Sequence, residues 1–212
     1  MYFSCNVSFS SLPVFLPTIL RDMGFTSVNA QGLTAPPYFL AFIFSILTTW
    51  LADRSQQRGL MIVLFSIIGA VGYVMLATCT SVGVRYAGVF LAAAGVFPCI
   101  GNILPWVLNN QGSDSARGMG IVILNIIGQC GPFLGTNIFP SSDSPRYVKG
   151  QSICAAFMFF TTLLALCLRT LLVWENKQLD KKYGSKAERA AAGEKSQAVG
   201  EENFGADFRY VL

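Results

Sequence analysis

Residues 60–79 read LMIVLFSIIGAVGYVMLATC. This stretch passes without one Lys, Arg, Asp or Glu. The hydrocarbon core of a bilayer is about 30 Å thick, and a helix needs about 20 apolar residues to cross it. A soluble helix of that length shows a polar face to water, and here there is none to show. The segment predicts a membrane-spanning helix.

Working outward, the same signal recurs upstream at 30–51 and 2–20, and downstream at 84–108, 119–139 and 152–174. Six spans joined by short connections predict an all-α membrane protein, a six-helix transmembrane bundle over residues 1–175. Residues 176–212 turn polar, rich in Lys, Glu, Ala and Gly. They predict a tail that is helical near the membrane and otherwise largely disordered. Only 12% of the chain is charged against 53% hydrophobic, where soluble domains carry about a quarter charged residues. The first span has no basic stretch before it and no small-residue cleavage site after it, so it reads as a true span rather than a signal peptide. Pro13 and Pro17 are expected to break its helix toward the far end, which packed membrane helices tolerate.

Composition removes several classes of function. Histidine is absent, which excludes Ser-His-Asp and Cys-His catalysis and His-based zinc sites. Cys5, Cys79, Cys99, Cys130, Cys154 and Cys167 sit in or beside apolar stretches and form no CxxC pair. They read as buried thiols, not as a disulfide or metal framework. No catalytic residue, metal site or cofactor is expected, and no enzyme activity. No basic patch with interleaved aromatics appears, so nucleic acid is not an expected partner.

An even number of spans puts both ends of the bundle on one side. That side carries Arg54, Arg58 and Arg117, then Lys177, Lys181, Lys182, Lys186 and Arg189. The other carries Arg21, Arg85, Arg146 and Lys149. The loops are nearly balanced and the tail decides, so both termini are expected in the cytoplasm. Arg169 lies near enough to that side to reach the headgroups.

No span carries an ionisable carboxylate or amine at mid-depth. The polar content is uncharged. Asn102 and Trp106 share a helix face at i, i+4, flanked by Pro98 and Pro105. Asn125 and Gln129 repeat that spacing before Pro132, and Tyr38 follows Pro36 and Pro37. Loosened helices with amides on one face can line a polar cavity, and the same amides can also simply join helices. Gly128, Gly131 and Gly135 form a small-residue stripe, with Gly69 and Gly72 another, and both predict close helix packing. In the loop LADRSQQRG, Asp53 with Arg54 and Arg58 suggests an inter-helix charge network.

Several stretches together resemble one family. FLPTILRDMGF at 15–25, AQGLTAPPY at 30–38 and WLADRSQQRG at 50–59 resemble the seventh and eighth helices and the following loop of major facilitator transporters. NNQGSDSARGMGIVILNIIGQCGPFLGTNIFP at 109–140 resembles the loop after the tenth helix and the eleventh helix. SDSPRYVKGQ at 142–151 and NFGADFRYVL at 203–212 resemble the loop before the twelfth helix and the C-terminal tail. The branch resembled is that of the fungal anion:cation symporters, the allantoate, nicotinate and pantothenate permease group.

The resemblance implies the C-terminal half of a twelve-helix fold, helices seven to twelve, with a substrate cavity between two bundles. It implies proton-coupled transport of a small organic anion or vitamin-like carboxylate at the plasma membrane. Asn6, Phe9, Tyr38, Asn102, Trp106, Asn125 and Gln129 fall on the helices that line such a cavity. The third and sixth spans would be peripheral supports. The expected partners are the lipid bilayer, the anion, protons, and either the N-terminal bundle or a second copy of this chain. The alternative reading is a membrane fragment or interaction protein, inactive without the first six helices.

Overall fold

The computed structural model describes residues 1–22, 24, 26–112, 114–144, 146–184 and 208–212. The first span forms α1 (Tyr2–Asp22), an unbroken helix through Pro13 and Pro17. The expected break does not occur. Each proline removes one backbone donor, but Leu12, Leu16, Ile19 and Leu20 are buried around them, and packing of that face keeps the segment helical.

The second span is divided instead. It consists of α2 (Ser27–Gly32) and α3 (Ala35–Ser55). Pro36 and Pro37 sit in the first turn of α3, where a missing N–H costs nothing. The Leu33 carbonyl released at the join accepts a hydrogen bond from Tyr86 Oη at 3.0 Å. Gln56 adopts the left-handed conformation (φ 54°) at the end of α3 and reverses the chain. The third span is α4 (Arg58–Thr78) and the fourth is α5 (Val82–Asn109). The fifth is again divided, into α6 (Asp114–Gly128) and α7 (Cys130–Gly135). Pro132 there withholds the donor that the Gly128 carbonyl would ordinarily accept. The sixth is α8 (Val148–Tyr183), which runs past the bundle boundary expected at residue 175.

Among the described residues, six helical segments are long and apolar enough to cross a membrane. Their outward faces carry Phe39, Phe42, Ile126, Phe133 and Leu163, each more than half exposed. Apolar surface of that extent is costly in water and at no cost in lipid. The chain is an all-α integral membrane bundle.

Close packing is built on glycine. A Cβ on Gly95 would come within 2.2 Å of Gly69 N, and one on Gly72 within 2.3 Å of Ala92 N. The backbones of α4 and α5 therefore touch. A Cβ on Gly131 would meet Phe3 O at 2.7 Å, and one on Gly135 would meet Val7 O at 2.4 Å. The stripe in the fifth span thus presses against α1, as its spacing predicts. Short polar contacts join the inner helices. Tyr73 Oη donates to Ser8 O at 2.7 Å, Ser8 Oγ donates to Cys154 O at 3.1 Å, and the Ser66 and Thr162 hydroxyls lie 2.7 Å apart.

The thiols divide. Cys5, Cys99 and Cys154 are buried as expected, but Cys130 and Cys167 are exposed on helix surfaces and Cys79 is half-buried. Two parts of the tail are described. Residues 176–183 continue α8, and 208–212 lie against the bundle by backbone hydrogen bonds. The expectation for 185–207 lies outside the described residues.

Candidate functional site

A groove of about 420 Å³ opens between α1, α5 and the α6–α7 join. Its polar lining includes Asn6, Ser10 and Gln129, and its apolar lining includes Phe9, Leu104 and Pro132. Asn6 is 3% exposed, yet its Nδ2 has no hydrogen-bond partner in the protein. A buried amide N–H without a partner is costly. Asn6 is also one of the residues that line the groove. Gln129 is exposed at the interruption between α6 and α7. A second groove of about 580 Å³ shares Tyr2 with the first and runs between α1 and α6 along Met119, Ile123 and Ile127. It is nearly all apolar.

Three of the sequence candidates meet here: Asn6, Phe9 and Gln129. Tyr38 stands behind them. Its ring lies edge-on to Phe97 at 5.5 Å, and Phe97 lies edge-on to Phe9 at 5.0 Å. Tyr38 Oη is also buried without a partner. Asn125 is half-buried and spends its Nδ2 on Ile121 O at 3.0 Å in its own helix.

Asn102 and Trp106 do not reach the groove. Both are 1% exposed inside the bundle. Asn102 Nδ2 donates to Pro98 O at 2.8 Å, and Asn102 Oδ1 accepts from Arg58 Nη1 at 3.4 Å. Trp106 Nε1 donates to Val211 O at 2.8 Å. The wall that α5 offers the groove is Ile100, Gly101, Leu104 and Pro105, of which Gly101 and Pro105 stand one residue earlier at the same i, i+4 spacing. In a bundle, an Asn and a Trp turn toward partners inside the protein, and the face of α5 left for the groove has no polar side chain. The signal was present in Pro105, which withholds the N–H that the Gly101 carbonyl would accept and so leaves an acceptor on the groove wall.

The loop network forms in part. Arg58, buried, pairs with Asp53, and its other nitrogen reaches Asn102. Arg54 takes a different partner, lying 5.6 Å over the Trp50 ring. Arg169 Nη2 donates to Gln57 Oε1 at 3.0 Å, which places it at the level of this loop. No group of three or more potential metal ligands occurs among the described residues.

The structure is an integral membrane bundle with an uncharged groove, lined by amide, aromatic and aliphatic side chains, between three of its spans. The homologues of the chain are MFS transporters of fungi. It is 31% identical over 188 residues to an MFS transporter, prlL, of a fungal species (strain NRRL 50135), covering 87% of this chain and 38% of that protein. It is 33% identical over 175 residues to the high-affinity nicotinic acid transporter of Saccharomyces cerevisiae, covering 82% of this chain and 33% of that one. It is 30% identical over 212 residues to the MFS-type transporter cnsO of Penicillium expansum, covering 95% and 40%. The chain thus spans less than half the length of the curated relatives it matches, and is a partial counterpart of them. No protein-family model matches it, and no solved structure does.

Proposed function

We propose that the groove between α1, α5 and the α6–α7 join is one half of a pathway for a small organic anion, moved together with protons. The observation that carries this reading is Asn6. It is a buried amide whose Nδ2 has no partner in the protein, on a residue that lines the same groove as Gln129. A carboxylate accepts such N–H donors well. The fungal relatives named above support the transport class, and the name of the yeast nicotinic acid transporter supports a small carboxylate. The alternative, an inert membrane fragment, is not favoured by them.

Three further parts belong to this proposal. The spans described here carry no carboxylate at mid-depth, so the titratable group for proton coupling comes from a different bundle, the N-terminal half, since a second copy of this chain would add none. The membrane is the plasma membrane. Both ends of the bundle face the cytoplasm, because the basic residues in the last turns of α8 and beyond it, with Arg54, Arg58 and Arg117, outweigh the opposite loops. The exposed, charge-poor groove is then the surface that meets the partner bundle.

The test is Asn6→Ala in the chain paired with a related N-terminal half, with labelled nicotinate as substrate. Loss of a hydrogen bond to a carboxylate should raise the apparent KM about tenfold at an unchanged amount of protein in the membrane. Unaltered transport would remove Asn6 from the pathway and the groove from this role.

A further inference from the structure

Residues 208–212 lie against the end of the bundle that carries the Asp53–Arg58 loop. Asn176 of α8 pairs with the backbone of Tyr210 in both directions. Its Nδ2 donates to Tyr210 O at 2.9 Å, and its Oδ1 accepts from Tyr210 N at 2.8 Å. Asn110, capping α5, does the same to the next residue. Its Nδ2 donates to Val211 O at 3.1 Å, and its Oδ1 accepts from Val211 N at 2.8 Å. Trp106 Nε1 gives Val211 O a further bond at 2.8 Å, and Gly59 N in the first turn of α4 donates to Leu212 O at 3.1 Å. Two side-chain amides therefore do what a neighbouring β-strand would do, reading main chain rather than side chain. The side chains of Tyr210 and Leu212 pack against the core.

We propose that this cleft is a recognition site for an extended Tyr-Val-Leu peptide, filled by the chain's own residues 210–212, and that its occupancy clamps the part of α5 beyond Pro105. Such pairing is a mode of peptide binding, and it is an unusual way to close a hydrophobic core. Two of the donors, Asn110 and Gly59, lie at helix ends, where water can replace the peptide on release. Residues 185–207 join the peptide to α8 and contain mostly Ala, Gly and charged or polar residues. Covalent attachment keeps the peptide near its site, so an added peptide has to compete with it.

The clamp acts on a weak point. Pro105 removes one turn's hydrogen bond from α5, so the helix beyond it is loosely tied to the helix before it. Trp106 and Asn110 belong to the later part and are held by the peptide, while Gly101 and Pro105 wall the groove. Gly59 links the same peptide to α4, and a Cβ there would come within 2.8 Å of the Trp106 ring. Peptide, α4 and the end of α5 thus move as one body. A consequence for transport rests on the function proposed above, but recognition of the peptide does not.

The test uses the chain shortened after Asp207, in detergent, with a fluorescent FRYVL peptide. Saturable binding is expected, about tenfold weaker to the full chain, whose site is filled, and to the shortened chain with Asn110→Ala and Asn176→Ala. Equal binding of the scrambled VLYRF peptide, or equal binding to the full chain, would overturn the proposal. If the shortened chain does not fold, hydrogen exchange on full-length Asn176→Ala decides. Protection should fall about tenfold at 58–61 and 106–110 while 150–165 stays unchanged. No change at 106–110, or a uniform loss throughout, would overturn it.

Discussion

Asn102 makes three contacts that no other side chain in α5 can make. It ties Pro98 O, Thr48 and Arg58 together at the buried start of α4. Asn102→Leu keeps the volume and removes the acceptor for a buried guanidinium. It should cost about 1–2 kcal/mol, read as a lower melting temperature in detergent, while groove binding is unaffected. Asp53→Asn leaves Arg58 with a neutral partner. Because the Asp53 side chain is 56% exposed, solvent screens much of that pair, and the loss should be about 1 kcal/mol rather than the larger value of a fully buried pair. An unchanged melting temperature for both variants would show that this network is not part of the stability. At this scale the sequence told which residues are special but not what they are special for. Asn102 and Trp106 stood out because polar atoms in a span need partners. Which partner each takes depends on the rotation of α5, and a shift of one residue turns a helix face by about 100°.

Among the elements, the glycine stripes were legible because small residues at i, i+3 and i+4 have few uses in a membrane helix other than close approach. They also support a sharp contrast. Gly131→Ala drives a methyl to 2.7 Å from Phe3 O, a backbone atom that cannot move alone. It should lower stability by about 1–3 kcal/mol. Gly118, on α6, has nothing within 4 Å of an added Cβ, so Gly118→Ala should be neutral or slightly stabilising through helix propensity. Equal melting temperatures for the two would mean that the α1–α7 contact is loose. The proline readings divided for a physical reason. Pro36, Pro37 and Pro132 coincide with interruptions at Leu33 and Gln129, whereas Pro13 and Pro17 do not interrupt α1. A proline removes a local bond in every case, but whether the chain bends out of helix depends on how firmly both sides are packed. Sequence periodicity does not carry that information. Residues 210–212 were hidden for the same reason, since a short extended peptide has no period to recognise.

For the whole molecule, apolar length was the decisive signal. The six spans were visible before any contact was known, because a bilayer sets a length that soluble folds do not need. The groove was only half legible, since it depends on which faces two divided helices and α1 turn toward each other. Orientation is open to direct measurement. Ser55 and Ser81 are both exposed, at opposite ends of α4. In a cysteine-free background, Ser55→Cys should resist an impermeant reagent added to intact cells, and Ser81→Cys should react. The reverse pattern would invert the topology. The central claim is that this bundle supplies an uncharged half-groove and needs a second bundle to complete a coupled pathway. Its most direct measurement is uptake of labelled nicotinate in permease-deficient yeast that expresses the chain alone or with a related N-terminal six-helix half. The account predicts saturable, uncoupler-sensitive uptake only when both are present. The same uptake from the chain alone, in a form that cannot pair with itself, would contradict it.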